Sequence, residues 1–555
     1  MACSKLFSGY FPELINEILH YFRDDISTLH SCTLVNRLWC RSAISLLWED
    51  PFSFNHVQNF QYFEIYLHYL NEDDKAKLNE YGINNNLLLS STLFNYPSFI
   101  KRLNTHKVSS SIEIWLSRTL MAENYDNCQE AEKLVYRLLL KMFIENEGSL
   151  DSFEIKVTSK NNYSYFNDTI EFALQNPNFI CNVRNLMINT SARCIKLPKK
   201  TFPFLKFLHS NCNSISSFSY KIFEFDVDNN RTLIGKCLSQ MIFTQQNLKK
   251  ISFECNNFFY NSFSLLKNSN ISNTLKIITF YSIDFKIIIT NFQEIFNQLN
   301  VLESIHIIYC DSLNSEIAQQ IINVTKPFRL KTLIMDQDTL QVESLQLLLQ
   351  KFGSDLENFK FGYYESYTPE QKNQLLKSIV KYCTKIKYFD IDKTDDISIN
   401  LVFNLIENIK QSLNYFIIEY KNFRYSVSYR DLCSTILNNL GQVLPSELEF
   451  LKLCFDIEPS NLKIFLENSQ NTFIRRLFIR NVCKEKGEDI LPYIKEYIMK
   501  KKRVKYLAIY GYQDLISLKD EVNEFKLHNI KIESYYNSYD LVENFRYYYK
   551  IDNDF

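Results

Sequence analysis

Leu248-Lys249-Lys250-Ile251-Ser252-Phe253 decides how this chain is read: apolar side chains stand first, fourth and sixth. The spacing returns at Leu275/Ile278/Phe280, Leu302/Ile305/Ile307, Leu330/Leu333/Met335 and Leu356/Phe359/Phe361. It continues at Ile386/Phe389/Ile391, Leu413/Phe416/Ile418, Leu448/Leu451/Leu453, Ile474/Leu477/Ile479 and Val504/Leu507/Ile509. Weaker copies precede these at Leu150/Phe153/Ile155, Val183/Leu186/Ile188 and Leu205/Leu208. From Ile251 onward, the middle residues lie 27, 27, 28, 26, 30, 27, 35, 26 and 30 residues apart. The closing apolar pair of each copy alternates with a residue of any type, which is the two-residue period of a strand. Helical periodicity fills the intervals, as over 342–352, 371–382, 401–409 and 493–499. One short strand and one helix cannot enclose a core, so the copies must stack.

This unit and period resemble the leucine-rich repeat. The resemblance implies a solenoid, a horseshoe whose strands line the concave side. The Asn or Cys expected three residues after the last apolar position stands at Asn256 and Cys310. It is replaced at Asp338, Tyr364 and Lys421, so the repeats should be irregular. Residues between the apolar strand positions should face the concave side and are the candidate target contacts. They include His306, Lys360, Asp390, Ile417, Lys452 and Phe478 in one stripe, with Arg480 and Tyr510 in the next. Both signs of charge and aromatics are mixed there. That suits a protein or peptide better than nucleic acid, which asks for a contiguous basic surface.

The first fifty residues carry a different pattern. Pro12 and Glu13 signal a helix start. Leu14, Ile18 and Phe22 form one apolar stripe; Ile15, Leu19 and Phe22 form a second that overlaps it. Asp24, Asp25 and Ser27 break that helix, and Leu29, Cys32, Leu34, Val35 and Leu38 supply the next apolar face. Trp39, Ala43, Leu46, Leu47 and Trp48 supply a third. Three such helices hold more apolar surface than they can cover by themselves. Two tryptophans in so short a stretch favour an interface.

Phe11-Pro12-Glu13-Leu14, Ile18-Leu19, Leu34-Val35-Asn36-Arg37-Leu38-Trp39, Ala43 and Leu47-Trp48 resemble the F-box motif over residues 8–50. Phe11 stands where the family usually has leucine. The resemblance implies a contact with a Skp-family adaptor and, through it, cullin. Pro12, Leu14, Ile15, Ile18, Leu29, Val35, Trp39 and Trp48 would carry that contact. The alternative for each is packing of the three helices on one another.

Composition excludes more than it includes. Net charge is -1 over 555 residues, which leaves no global field toward nucleic acid or an anionic membrane. Glycine occurs only 9 times, which disfavours phosphate-cradling loops. The 14 cysteines include no C-x-x-C pair, and none of the 8 histidines joins them at metal-ligand spacing. No phosphate-loop, dinucleotide, zinc-protease or nucleophile-elbow motif occurs. No cofactor or metal is therefore expected. Cysteines beside apolar neighbours, no secretory pattern and no apolar run of membrane length set the expectation of a cytoplasmic and/or nuclear protein. Lys500-Lys501-Lys502-Arg503 reads as a charge cluster at a helix end or as a nuclear import signal.

The expected fold is α/β. An all-α F-box at 1–50 and a helical connector at 51–148 precede an irregular leucine-rich-repeat solenoid at 149–555. Within the connector, 57–70, 112–121 and 131–144 read as helical, 71–86 as a loop or helix end, and Glu72 to Asp74 as solvated surface. The expected function is non-catalytic: the substrate-recognition subunit of a Skp–cullin–F-box ubiquitin ligase, recruiting an unknown protein target through the repeats. The alternative is a repeat scaffold working outside any ligase.

Overall fold

A computed structural model describes residues 12–23, 25–53, 61–83, 92–120, 125–157, 160–190, 200–222, 230–254, 259–287, 291–325, 329–336, 340–361, 367–392, 398–419, 427–481, 490–499, 501, 503–511 and 514–535. Phe11, Asp24, Asn256, Asp338, Tyr364 and Lys421 lie outside them. The chain divides into two compact units, Met1–Ile283 with Gln298–Val301, and Asp284–Asn297 with Leu302–Phe555.

The first unit opens with helices α1 (Pro12–His20), α2 (Ile26–Cys32), α3 (Arg37–Leu47), α4 (Gln61–His68) and α5 (Glu72–Glu80). Strands then alternate with helices. They are β1 (Arg102–Asn104), β2 (Ser152–Val157), β3 (Asn185–Thr190), β4 (Ser217–Ile222), β5 (Lys250–Glu254) and β6 (Ile277–Tyr281). Helices α6 (Thr105–Thr119) and α7 (Tyr125–Glu145) lie between β1 and β2. Each strand pairs with the next in parallel.

The second unit repeats the scheme with β7 (Ser304–Ile308), β8 (Thr332–Asp336), β9 (Asn358–Phe361), β10 (Tyr388–Asp392), β11 (Tyr415–Glu419), β12 (Glu447–Phe455), β13 (Phe473–Asn481), β14 (Val504–Tyr510) and β15 (Lys531–Ile532). These too run parallel from neighbour to neighbour. A parallel pair needs a crossover longer than a hairpin turn, and a helix in each interval supplies it.

Register follows from the apolar pattern. Ile251 pairs with Ile278 and Phe253 with Phe280. Phe416 pairs with Leu451 and Ile418 with Leu453; Leu477 and Ile479 pair with Leu507 and Ile509. All of these side chains are buried. A slip of one residue would turn every row outward, so the rows hold the strands in step. Rings stack along them: Phe253 on Phe280 at 6.0 Å, Phe389 on Phe416 at 6.1 Å. Polar caps close the helix starts. The Asn314 side chain accepts from the amide of Ile317. Thr368 and Gln371 form a reciprocal capping box behind Pro369.

Four expectations are corrected by the fold. Leu205 and Leu208 lie in a helix, Thr201–Asn211, and the strand of that repeat is β4, whose buried apolar residues are Phe218 and Tyr220. A three-residue spacing fits helix and repeat equally, and serines at 216, 217 and 219 hid the strand. The ladder begins inside the expected connector, because β1 already pairs with β2. Residues 72–80 form helix α5, capped by Asn71, which accepts from the amide of Asp74. Asp74 is not solvated: it is buried between the ammonium groups of Lys77 at 2.8 Å and Lys141 at 2.7 Å. In the basic run, Arg503 donates to the carbonyls of Leu466, Ser469 and Tyr497 at the ends of neighbouring helices. Lys500 and Lys502 lie outside the described residues.

Gly441 shows how tightly neighbouring repeats meet. A Cβ there would stand 2.7 Å from the Phe465 carbonyl oxygen and 3.0 Å from the Ser469 nitrogen, both backbone atoms of the adjacent repeat. Gly441→Ala should therefore destabilise the second unit by about 1–3 kcal/mol through overpacking, despite alanine's better helix propensity. Denaturant unfolding checks this; an unchanged midpoint would mean the helices part freely.

Candidate binding surfaces

Helices α1 to α3 enclose a small core of Ile15, Leu19, Leu29, Cys32, Trp39 and Ala43. Phe22, Leu38, Leu46 and Leu47 pack around it. Two caps set the turns between the helices. Asp25 accepts from the backbone and the hydroxyl of Thr28, and Asn36 accepts from the amides of Leu38 and Trp39.

This arrangement sorts the eight expected adaptor contacts. Pro12, Leu14 and Val35 are exposed and Ile18 is half-buried. Ile15, Leu29 and Trp39 are not available at the surface; they form the core itself. Trp48 is half-buried and turned inward, with its ring 5.2 Å from Tyr66 and 4.3 Å from Tyr96. The two overlapping stripes of α1 explain the division. The helices must bury one stripe to fold, and Ile15 with Leu19 supplies it. Leu14 and Ile18, one turn apart, are left outside. Tyr21, Ile26 and Leu34 join the exposed set at 89%, 42% and 78% exposure, although the sequence reading did not single them out as contacts. Leu14, Tyr21, Ile26, Leu34 and Val35 thus stay in water beside the core that the same three helices bury.

These three helices are joined firmly to the repeat ladder. Buried Glu49 pairs with Arg23, 2.6 Å from its Nη2, and with Arg102 at 3.5 Å. Its backbone carbonyl accepts from the amides of Lys101 and Arg102 at the start of β1. Phe52, Tyr66 and Phe143 cluster behind it, and Phe63 stacks on Trp115 at 4.8 Å. The carboxylate thus ties the turn after α1 to the first strand of the ladder.

In the second unit, the strand face away from the helices was expected to be open. It is largely closed. Of the expected target contacts, only Lys360, Arg480 and Tyr510 are half-exposed; His306, Asp390, Ile417, Lys452 and Phe478 are buried. Ile417 and Phe478 belong to an apolar cluster with Tyr388, Tyr415, Phe450 and Ala508. The Tyr388 hydroxyl donates to Asp390 at 3.1 Å. Lys452 pairs with Glu419 at 2.9 Å, with both side chains at most 2% exposed. Burial holds the Cys454 thiol, beside Glu419, above its usual range.

The sequence reading missed Tyr415, Phe450, Arg476 and Tyr506, one step earlier along the same alternation. The repeat motif does not include that step, but β12 and β13 run for nine residues and β14 for seven, long enough to reach it. Arg476 lies 4.6 Å over the Tyr506 ring.

Among the described residues, no group of three or more His, Cys, Asp or Glu side chains could hold a metal ion. Burial raises the thiols of Cys212, Cys383 and Cys433 to about 12. No described helix is long and apolar enough to cross a membrane.

No family model matches the chain, and no curated protein matches it. Among solved structures, it is similar to a chain in the crystal structure of the yeast Rad7 and Elc1 complex, at 9% identity and a TM-score of 0.35. The match covers 69% of this chain and 92% of that one. Likeness at that level does not carry a function across.

The Glu419–Lys452 pair yields a sharp expectation. Lys452→Met alone removes the cation paired with a buried carboxylate and should destabilise the second unit by roughly 3–5 kcal/mol. Adding Glu419→Gln should recover most of that loss. Urea unfolding of the two variants decides it; equal losses would show that the pair does not act as a pair.

Proposed function

We propose that this chain is an F-box protein with a leucine-rich-repeat horseshoe, and that it serves as the substrate-recognition subunit of a Skp–cullin–F-box ubiquitin ligase. The observation that carries the reading is the exposed apolar set on α1 to α3. Leu14, Ile26, Leu34 and Val35 remain 42–78% exposed, although the same helices bury a complete core beneath them. Leaving that surface in water costs about 25 cal/mol for each Å² that a partner could cover. Leu14 and Val35 are also positions that match the family motif.

In this reading the chain performs no chemistry. It contributes proximity, holding a target where a ubiquitin-loaded enzyme can reach it. The Glu49 clamp serves that purpose, since it fixes the adaptor-binding helices on the first repeat strand. The repeat strands of the second unit then carry recognition.

The test is co-purification of full-length protein with a Skp-family adaptor and cullin. Leu14→Lys with Val35→Lys should abolish recovery of both, because central interface residues commonly contribute about 2 kcal/mol or more each. Stability should shift by no more than about 0.5 kcal/mol per site, since neither side chain is in the core. Undiminished adaptor recovery from a folded double variant sinks the proposal.

A further inference from the structure

Past the last described strand, two side chains reach back over the face that should recognise a target. Strand β15 pairs only two residues with β14, Lys531 with Tyr506 and Ile532 with Leu507. In the next three residues, Glu533, Ser534 and Tyr535, the backbone stays beside β14 while the side chains of Glu533 and Tyr535 reach over β13 and β12. Glu533 lies 3.8 Å from Arg476 of β13, and its amide donates to the Leu507 carbonyl. The Ser534 hydroxyl and the Tyr535 amide both donate to the Asp514 carboxylate, at 3.0 and 3.2 Å.

The Tyr535 ring travels farthest. It lies 5.8 Å from the Tyr510 ring, 6.0 Å from the Arg480 guanidinium and 5.7 Å from the Lys452 ammonium. Those partners stand on β14, β13 and β12. At 4% exposure, Tyr535 is buried there. An aromatic ring between two cations gains from both, the more so where water is excluded.

We propose that Glu533–Tyr535 is a built-in pseudo-ligand, and that the target is a protein segment that displaces it: an extended peptide with a carboxylate two residues before an aromatic side chain. This rests on the receptor reading and names the class of target. The chemistry under the strap fits such a ligand. Arg476 awaits the carboxylate, and Lys452 with Arg480 brackets the ring. Repeat proteins bind through this kind of strand face. Charges are costly to bury in a face that serves stability only, whereas Lys452 and Glu419 are buried here as a pair. The strap is held by a two-residue strand, a few polar bonds and one buried ring, contacts that a ligand of the same chemistry could replace one for one.

An occupied site lowers apparent affinity by the fraction of molecules in which it is closed. The probe is a fluorescent peptide copying the sequence of residues 531–537, added to full-length protein. Glu533→Ala with Tyr535→Ala should bind it at least about tenfold more tightly than the unaltered chain. Adding Arg476→Glu should abolish that gain, and a peptide with its glutamate changed to lysine and its first tyrosine to alanine should not bind. If the double variant melts early, Asp514→Ala loosens the strap and serves for the same comparison. Equal affinity with the strap intact and loosened, or no binding to any variant, overturns the proposal. Adaptor co-purification involves the other unit, so failure here and failure of the receptor reading are separable.

Discussion

A strand–helix repeat has one apolar row on its strand and one stripe on its helix, and no way to close a core around them. Burying a Leu, Ile or Phe side chain contributes about 1.5–3 kcal/mol, but only once a neighbour covers it. Here the rows meet row by row, Ile251 on Ile278 and Leu477 on Leu507, so each repeat supplies the missing wall of the next. Everything else hangs on that stacking. It sets the strands parallel and requires a helix in each interval. It also brings helix backbones close enough that Gly441 has no room for a methyl group.

Stacking also fixes the opposite strand face, which no apolar motif governs. Side chains there are brought into rows by the ladder whether or not they suit one another. Where they are apolar they gather, as around Tyr415, Ile417, Phe450 and Phe478. Where they are charged they must find partners, because an unpaired charge in a closed face is expensive. Lys452 finds Glu419 on the neighbouring strand. Arg476 and Arg480 find tyrosine rings one strand farther on. A face built this way is a composite of cations, rings and apolar side chains.

At the other end of the chain the same economy of burial works on a smaller scale. Helices α1 to α3 need one stripe each to cohere, and the remainder stays in water. Which side chains remain outside is decided by the angle at which the helices meet. The caps Asp25 and Asn36 and the Glu49 ion pair lie at the turns and the joint between these elements. Trp48 shows the consequence: its motif position suggests a partner contact, yet its ring packs on Tyr66 and Tyr96.

The sequence by itself determined the repeat and its period, the strand at nearly every copy, and the three short helices at the start. Those features are local: they depend only on spacing along the chain. It did not reveal β4, where serines mask the pattern, nor that Asp74 would be drawn between two lysines. Nor could it separate Ile15 from Leu14, since adjacent residues in one helix share composition and differ only in the direction they point. The tertiary structure alone decided that five of the eight expected target contacts are buried, and that Tyr535 lies over Lys452, more than eighty residues earlier in the chain. Burial depends on what arrives from distant parts of the chain, and spacing along a sequence holds no record of that.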